Sequence, residues 1–109
     1  MKKTILTLLA ILLLCACSHK ATDHEAYLIT QEKIKASLEN TLGTLDFPFA
    51  DYEYQNEGDT IFVIKSHFTY KNEYNADVRY NYRAKVKYKG GKWEKPDNWD
   101  VLGFQQDYE

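Results

Sequence analysis

The chain has 109 residues, with 16 acidic and 14 basic side chains, a formal charge of −2 and a pI near 5.9. That length accommodates one domain, and the charge balance excludes a basic nucleic-acid binder at the level of the whole chain. Apolar residues make up 44% and aromatic residues 15%, a globular rather than a disordered composition. The first element in chain order is an apolar run. Met1-Lys2-Lys3 is a short positive stretch, and Ile5 to Leu14 is apolar apart from Thr7. Ten residues of helix rise about 15 Å, half of the roughly 30 Å hydrocarbon core, so the run reads as a secretory signal rather than a transmembrane helix.

At the end of that run, Leu14-Cys15-Ala16-Cys17 resembles the lipobox of bacterial lipoproteins, in which an aliphatic residue, a tolerant position and a small residue precede a cysteine. The resemblance implies thioether attachment of diacylglycerol to Cys17, cleavage before it, and acylation of the new N-terminus. Cys15 fits less well as the modified residue, because Leu13 and Leu14 are too bulky for the small-residue position. The competing reading is a plain secretory signal cut nearby, which leaves Cys17 as a free thiol and a liability after export. Ser18, not Asp, follows Cys17, which in diderm bacteria implies sorting to the outer membrane. At about 0.8 kcal/mol per buried CH₂, two or three chains on one residue hold effectively for good. The expected organisation is a signal peptide over 1–16, a lipidated tether over 17–22 and a small α+β domain over 23–109. With Cys15 removed and Cys17 lipidated, the mature domain has no thiol, hence neither a disulfide nor a thiolate metal site.

Thr22-Asp23-His24-Glu25 fits a capping box, a hydroxyl followed three residues later by Glu, and predicts a helix start. Tyr27, Ile34, Leu38, Leu42 and Leu45, with Thr41 between them, approximate one stripe at helical period, and Gly43 is a C-terminal stop. A later start, with Thr30 as N-cap, also fits. After Phe47-Pro48-Phe49 the period changes to two. Ala50, Tyr52 and Tyr54 alternate with polar residues, Asn56-Glu57-Gly58-Asp59 is a turn, and Thr60 to Tyr70 is the next strand. Ala76 to Lys89 is the clearest strand: Val78, Tyr80, Tyr82, Ala84, Val86 and Tyr88 share one face, and Asp77, Arg79, Asn81, Arg83, Lys85 and Lys87 share the other. Such alternation is what a sheet with one dry and one wet face requires. Gly90-Gly91 turns the chain, Lys92 to Lys95 begins a short last strand ended by Pro96, and Asp97 to Glu109 folds back on the sheet. The expectation is one N-terminal helix packed on a three- to four-stranded antiparallel meander.

The order of helix then antiparallel sheet resembles, at the level of pattern, the cystatin-like folds of small exported bacterial proteins. The Gln-x-Val-x-Gly hairpin of the inhibitory cystatins is missing here, so inhibition is not implied.

Chemistry-bearing motifs are few. His24 has Leu28 at i+4, so the helical metal pattern fails, and it reads as an exposed helix-start residue. His67 shares parity with Lys65 and Thr69 and reads as an exposed sheet histidine beside an Arg-rich strand that disfavours its cation. Asp51 and Glu53 read as solvated charge. There is no Gly-x-Ser-x-Gly, no phosphate loop and no His-Glu-x-x-His, so neither a catalytic residue nor a metal or cofactor is expected. Tyr74, in the Lys71–Asn75 turn, reads as an exposed contact residue or equally as a shield for the sheet end.

Charge segregation is the pattern with functional content. Residues 65–95 carry nine basic against three acidic side chains, while 18–64 carry nine acidic against three basic. Lys65, Arg79, Arg83, Lys85 and Lys87 fall on one wet face, which would attract an anionic lipid, a glycan or an acidic envelope protein, but not nucleic acid. The same charges also serve to keep an open face soluble, or to pair with the acidic segments. The expected protein is a small, exported, lipid-anchored and non-catalytic binding or accessory module. The alternatives are a structural subunit of an envelope complex and an envelope enzyme.

Overall fold

The computed structural model describes residues 20–107. Cys17 and the signal run, with the lipobox reading that rests on them, lie outside the described residues. The helix α1 spans Asp23–Leu42 and is followed by four strands: β1 (Glu53–Asn56), β2 (Ile61–Lys71), β3 (Asp77–Tyr88) and β4 (Trp99–Gln106). A single 3₁₀ turn, Pro96–Asn98, precedes β4. The sheet order is β1-β2-β3-β4, every pairing is antiparallel, and α1 packs on one face. The two-layer α+β architecture is the expected one.

The capping box starts α1. Glu25 N–H donates to Thr22 Oγ1 at 3.1 Å, and Thr22 N–H donates to the Glu25 carboxylate at 2.8 Å. Asp23 and Glu25 also place negative charge in the first turn, where the helix dipole favours it. The later start is overturned: Thr30 is buried within the helix, its hydroxyl donating to Ala26 C=O at 2.7 Å. Gly43, at φ +82°, ends the helix with its N–H donating to Glu39 C=O, a backbone conformation that suits a residue without Cβ. No helix among the described residues is long and apolar enough to cross a membrane.

The core joins Ala26, Tyr27, Ile29 and Ile34 of α1 to Phe62, Ile64, Phe68, Tyr82, Ala84, Val86, Tyr88 and Trp99 of the sheet. Each large apolar side chain so buried contributes about 1.5–3 kcal/mol relative to exposure. The buried stripe is therefore shifted from the predicted one. Ala26 and Ile29 join it, Leu38 and Leu42 are only partly covered, and Thr41 is exposed.

Two strand expectations are corrected. Lys92 to Lys95 is a turn, closed by Lys95 N–H on Lys92 C=O, and the last strand is Trp99–Gln106. Trp99 dictates this outcome: it is almost wholly buried against Phe62 and Tyr88, and its indole N–H donates to Trp93 C=O at 2.8 Å. The first strand begins at Glu53 rather than Ala50, because Tyr52 turns instead to the helix. Its ring stacks on Tyr27 at 4.2 Å and its hydroxyl donates to the Asp23 carboxylate at 2.6 Å. A bulge between Lys85 and Val86 leaves Leu102 between the two registers of β4, so Val101 and Phe104 both fall on the helix side of the sheet.

Candidate functional site

Among the described residues, the face of the sheet opposite α1 carries no second layer, and the β2–β3 register decides what stands beside what on it. Thr69 lies opposite Arg79, His67 opposite Asn81, Lys65 opposite Arg83, Val63 opposite Lys85 and Ile61 opposite Lys87. β1 adds Glu53 beside Lys65, and β4 adds Gln105 beside Arg83 and Asp100 beside Lys87, the Asp100 carboxylate lying 3.3 Å from Lys89 Nζ. All five basic residues anticipated from parity alone therefore share this face. Arg79, Arg83 and Lys87, four residues apart on β3, form a row about 27 Å long at 3.4 Å per residue.

The five differ in how they are engaged. Lys65 Nζ is 3.7 Å from the Asp107 carboxylate, and Lys85 Nζ is 2.6 Å from that of Glu57. The acidic flanking segments thus do fold back onto the basic strands at two points. Arg79 donates from Nε to Asn81 Oδ1 at 3.0 Å. Among the described residues, Arg79, Arg83 and Lys87 have no carboxylate within 4.0 Å. Val63 is buried on this otherwise polar face, at the floor of a depression of about 210 Å³ walled by Glu53, Gln55, Lys65 and Arg83.

A second depression of about 120 Å³ lies around His67, walled by Asp51, Glu53, Lys65, Arg79, Asn81 and Asp107. His67 is not the exposed sheet histidine expected, since only 15% of its side chain is open. The loop that delivers Asp51 closes over it, with the Asp51 carboxylate 3.9 Å from Nδ1. Burial pushes the imidazole below its ordinary range and Arg79 pushes it further, while Asp51 opposes both. A mostly covered, neutral imidazole between a carboxylate and a guanidinium is the result. Asp51 and Glu53 are therefore parts of this polar cluster as well as solvated charges. Sequence parity placed His67 with Lys65, but nothing local in the sequence indicated that Asp51 or Asp107 would reach it.

Chemically the cluster has a limited repertoire. Ser66 points the other way, its hydroxyl donating to Asp51 C=O at 2.7 Å, so it makes no nucleophile–base pair with His67. Among the described residues no group of three or more His, Cys, Asp or Glu side chains is arranged to hold a metal ion. His24 is half-covered, contrary to expectation, by the rings of Tyr27, Phe49 and Tyr52 at 6.2–6.5 Å. Tyr74 is exposed, as expected. On the helix side, an apolar groove of about 290 Å³ between α1 and β4 is lined by Ile34, Leu38, Val86, Val101 and Phe104. No sequence pattern anticipated this groove, because it depends on the bulge in β4. No protein-family model, curated protein or solved structure matches this chain.

Proposed function

We propose that this chain is a small bacterial lipoprotein, anchored in the cell envelope through Cys17, whose folded domain is a non-catalytic binding module for an anionic envelope partner. The observation that carries the reading is the row of Arg79, Arg83 and Lys87 on the sheet face away from α1, none of them within 4.0 Å of a carboxylate among the described residues, with Asp100 opposite Lys87 engaged by Lys89. An open row of cations costs solvation nothing while free, and it gives charge-assisted hydrogen bonds once carboxylate, phosphate or sulfate groups arrive. Lys65 and Lys85, already paired, contribute less to such contacts. Outer-membrane placement in a diderm host follows from Ser18 after the lipobox cysteine.

The experiment is capture of the full-length lipidated protein from its own envelope in mild detergent, over a salt series, beside the triple charge reversal Arg79→Glu, Arg83→Glu, Lys87→Glu. A glycan, lipid or acidic protein that leaves as salt rises and is lost in the reversal supports the module. Unchanged capture in the triple reversal would refute it. A second reading, a structural subunit of an envelope complex, is favoured by the apolar groove and by the exposed Val101, Leu102 and Phe104 of β4. It predicts one stoichiometric protein partner that survives high salt and is lost on Leu102→Asp instead.

A further inference from the structure

Phe49 has the largest fractional exposure, 86%, of the large apolar side chains that stand out from the described surface. Its neighbours, in contrast, are firmly held. Phe47 packs its ring against Phe68 at 5.6 Å, Pro48 accepts a 2.5 Å hydrogen bond from Tyr27, and Tyr52 is stacked on Tyr27 and bonded to Asp23. The loop is thus fixed on both sides and holds one phenyl ring out in water. It is useful if that ring has an apolar medium to enter.

Its position identifies the medium. The Phe49 ring lies 6.2 Å from that of His24, the second residue of α1, so the loop tip sits at the N-terminal end of the helix. Thr22, the N-cap, is five residues from Cys17, and a chain of five residues spans at most about 18 Å whatever its conformation. An acylated Cys17 therefore keeps this end of the domain within about 18 Å of the anchored residue. The carboxylates near the tip, Asp23, Asp46 and Asp51, outnumber the nearby cations Lys20, in the tether, and Lys35, over the Phe47 ring, so this end has no net positive charge to attach it to anionic lipid and insertion of the aromatic ring is the favoured contact. Because the anchor has already confined the loop at the surface, a weak partition of one ring becomes an intramolecular step.

We propose that Phe49 is a membrane-interface contact that seats the domain on the bilayer holding Cys17. The proposal rests on the lipoprotein reading. It implies that the helix N-terminus faces the membrane, and that contact is insensitive to salt, unlike binding at the basic face.

The test uses full-length protein, processed and purified from an exporting host, carrying Phe49→Cys labelled with an environment-sensitive fluorophore. Tyr74→Cys, labelled in the same way, is the reference, since Tyr74 is a comparably exposed aromatic at the β2–β3 turn, 82% open. With Cys15 cleaved off and Cys17 acylated, the introduced thiol is the one available to label. Both proteins are placed in neutral phosphatidylcholine vesicles with or without lipids carrying a quencher at headgroup depth. The expected result is blue-shifted emission at position 49 that is quenched by those lipids at low and high salt alike, and aqueous, unquenched emission at position 74. Aqueous emission at 49 in protein whose intact mass shows the acyl chains would overturn the membrane contact alone. So would equal quenching at 49 and 74. A mature mass without acyl chains would overturn the anchor, and the contact with it.

Discussion

Tyr82→Phe should make this protein more stable. The Tyr82 side chain is fully buried, yet among the described residues its hydroxyl makes no well-formed hydrogen bond, with Ser66, its cross-strand neighbour, donating instead to Asp51 C=O. Leaving a buried hydroxyl unpaired costs about 1–3 kcal/mol of lost hydration, whereas removing it and keeping the ring costs little in packing. The ring contacts with Phe68 and Phe104, at 6.2 and 5.8 Å, belong to the aromatic carbons and persist in Phe. A gain of about 1 kcal/mol is therefore expected, or an increase in Tm of about 4–8 °C for a domain of this size. Urea unfolding followed by tryptophan fluorescence measures it, with thermal circular dichroism as a check. Alkaline pH supplies a second readout. Burial, with Tyr27 nearby, holds the Tyr82 hydroxyl well above its ordinary value of 10.0. Its contribution to stability is thus complete below pH 10 and is lost as pH rises beyond it, since the unfolded phenol ionises first. Tyr82→Phe has no phenol to ionise at this position and so escapes that loss, and the variant's advantage should widen in alkali. Loss of stability at neutral pH would refute the reasoning. It would mean that the hydroxyl is paired in solution, and a double-mutant cycle with Ser66→Ala would show whether Ser66 is the partner.

Three further outcomes follow from particular contacts. His67 is held below its ordinary value in the folded chain, so its contribution to stability is complete above about pH 6.5 and is lost as pH falls through the folded value. His67→Gln should show a flatter stability profile than the wild type between pH 7 and 5 in parallel urea titrations. Thr22→Ala removes the N-cap acceptor of Glu25 N–H and should cost about 1 kcal/mol by the same unfolding assay. Gly91→Ala should be more damaging than Gly90→Ala when their Tm values are compared. Both positions have positive φ, but a Cβ at 91 would stand 2.8 Å from Asn98 Nδ2, which holds Lys92 C=O, while a Cβ at 90 meets nothing within 4 Å.

The fold was legible wherever a local rule coincided with a tertiary one. The Thr22–Glu25 capping box and Gly43 bound the helix in sequence and in space alike, and the alternation from Val78 to Tyr88 assigns each β3 side chain to its observed face. Legibility failed where a single distant contact outweighed the local pattern. Tyr52 has perfect strand alternation with Tyr54, yet a stacked ring and a carboxylate on α1 draw it off the sheet edge. Trp99 lies in a stretch whose acidic residues and neighbouring Pro96 look like a loop, but burying its indole with a satisfied N–H fixes β4 there. The site divides in the same way. Parity gave all five basic positions. Which of them are neutralised depends on Glu57 and Asp107, which approach from a turn and from the chain's far end, and no spacing rule reports that.

The pairing pattern also constrains how the open face can work. Net charge is −2 over the whole chain and −4 over residues 18–109, with 12 basic and 16 acidic side chains, so net charge does not gather anions to the molecule, and the basic row acts only over about a Debye length, roughly 8 Å at physiological salt. Glu57 and Asp107 weaken that field further by pairing with Lys85 and Lys65, and Asp51 acts against Arg79 at His67. A soluble domain built in this way would find a dilute anionic partner slowly. Fixed to a membrane it does not need to search, because the anchor confines it to the same thin layer as its partner. In that layer a field of short range is an advantage, as it leaves the face unattracted to the bulk of anionic surface and responsive only to a partner whose charges come into contact with Arg79, Arg83 and Lys87. On the proposed reading, the anchor and the muted basic face would be one design: the first would supply proximity, and the second would discriminate at contact. Moving the domain off the membrane, by Cys17→Ala with export retained, should consequently weaken capture of the partner far more than it weakens folding. Equal capture by the unanchored protein in the same salt series would contradict the argument.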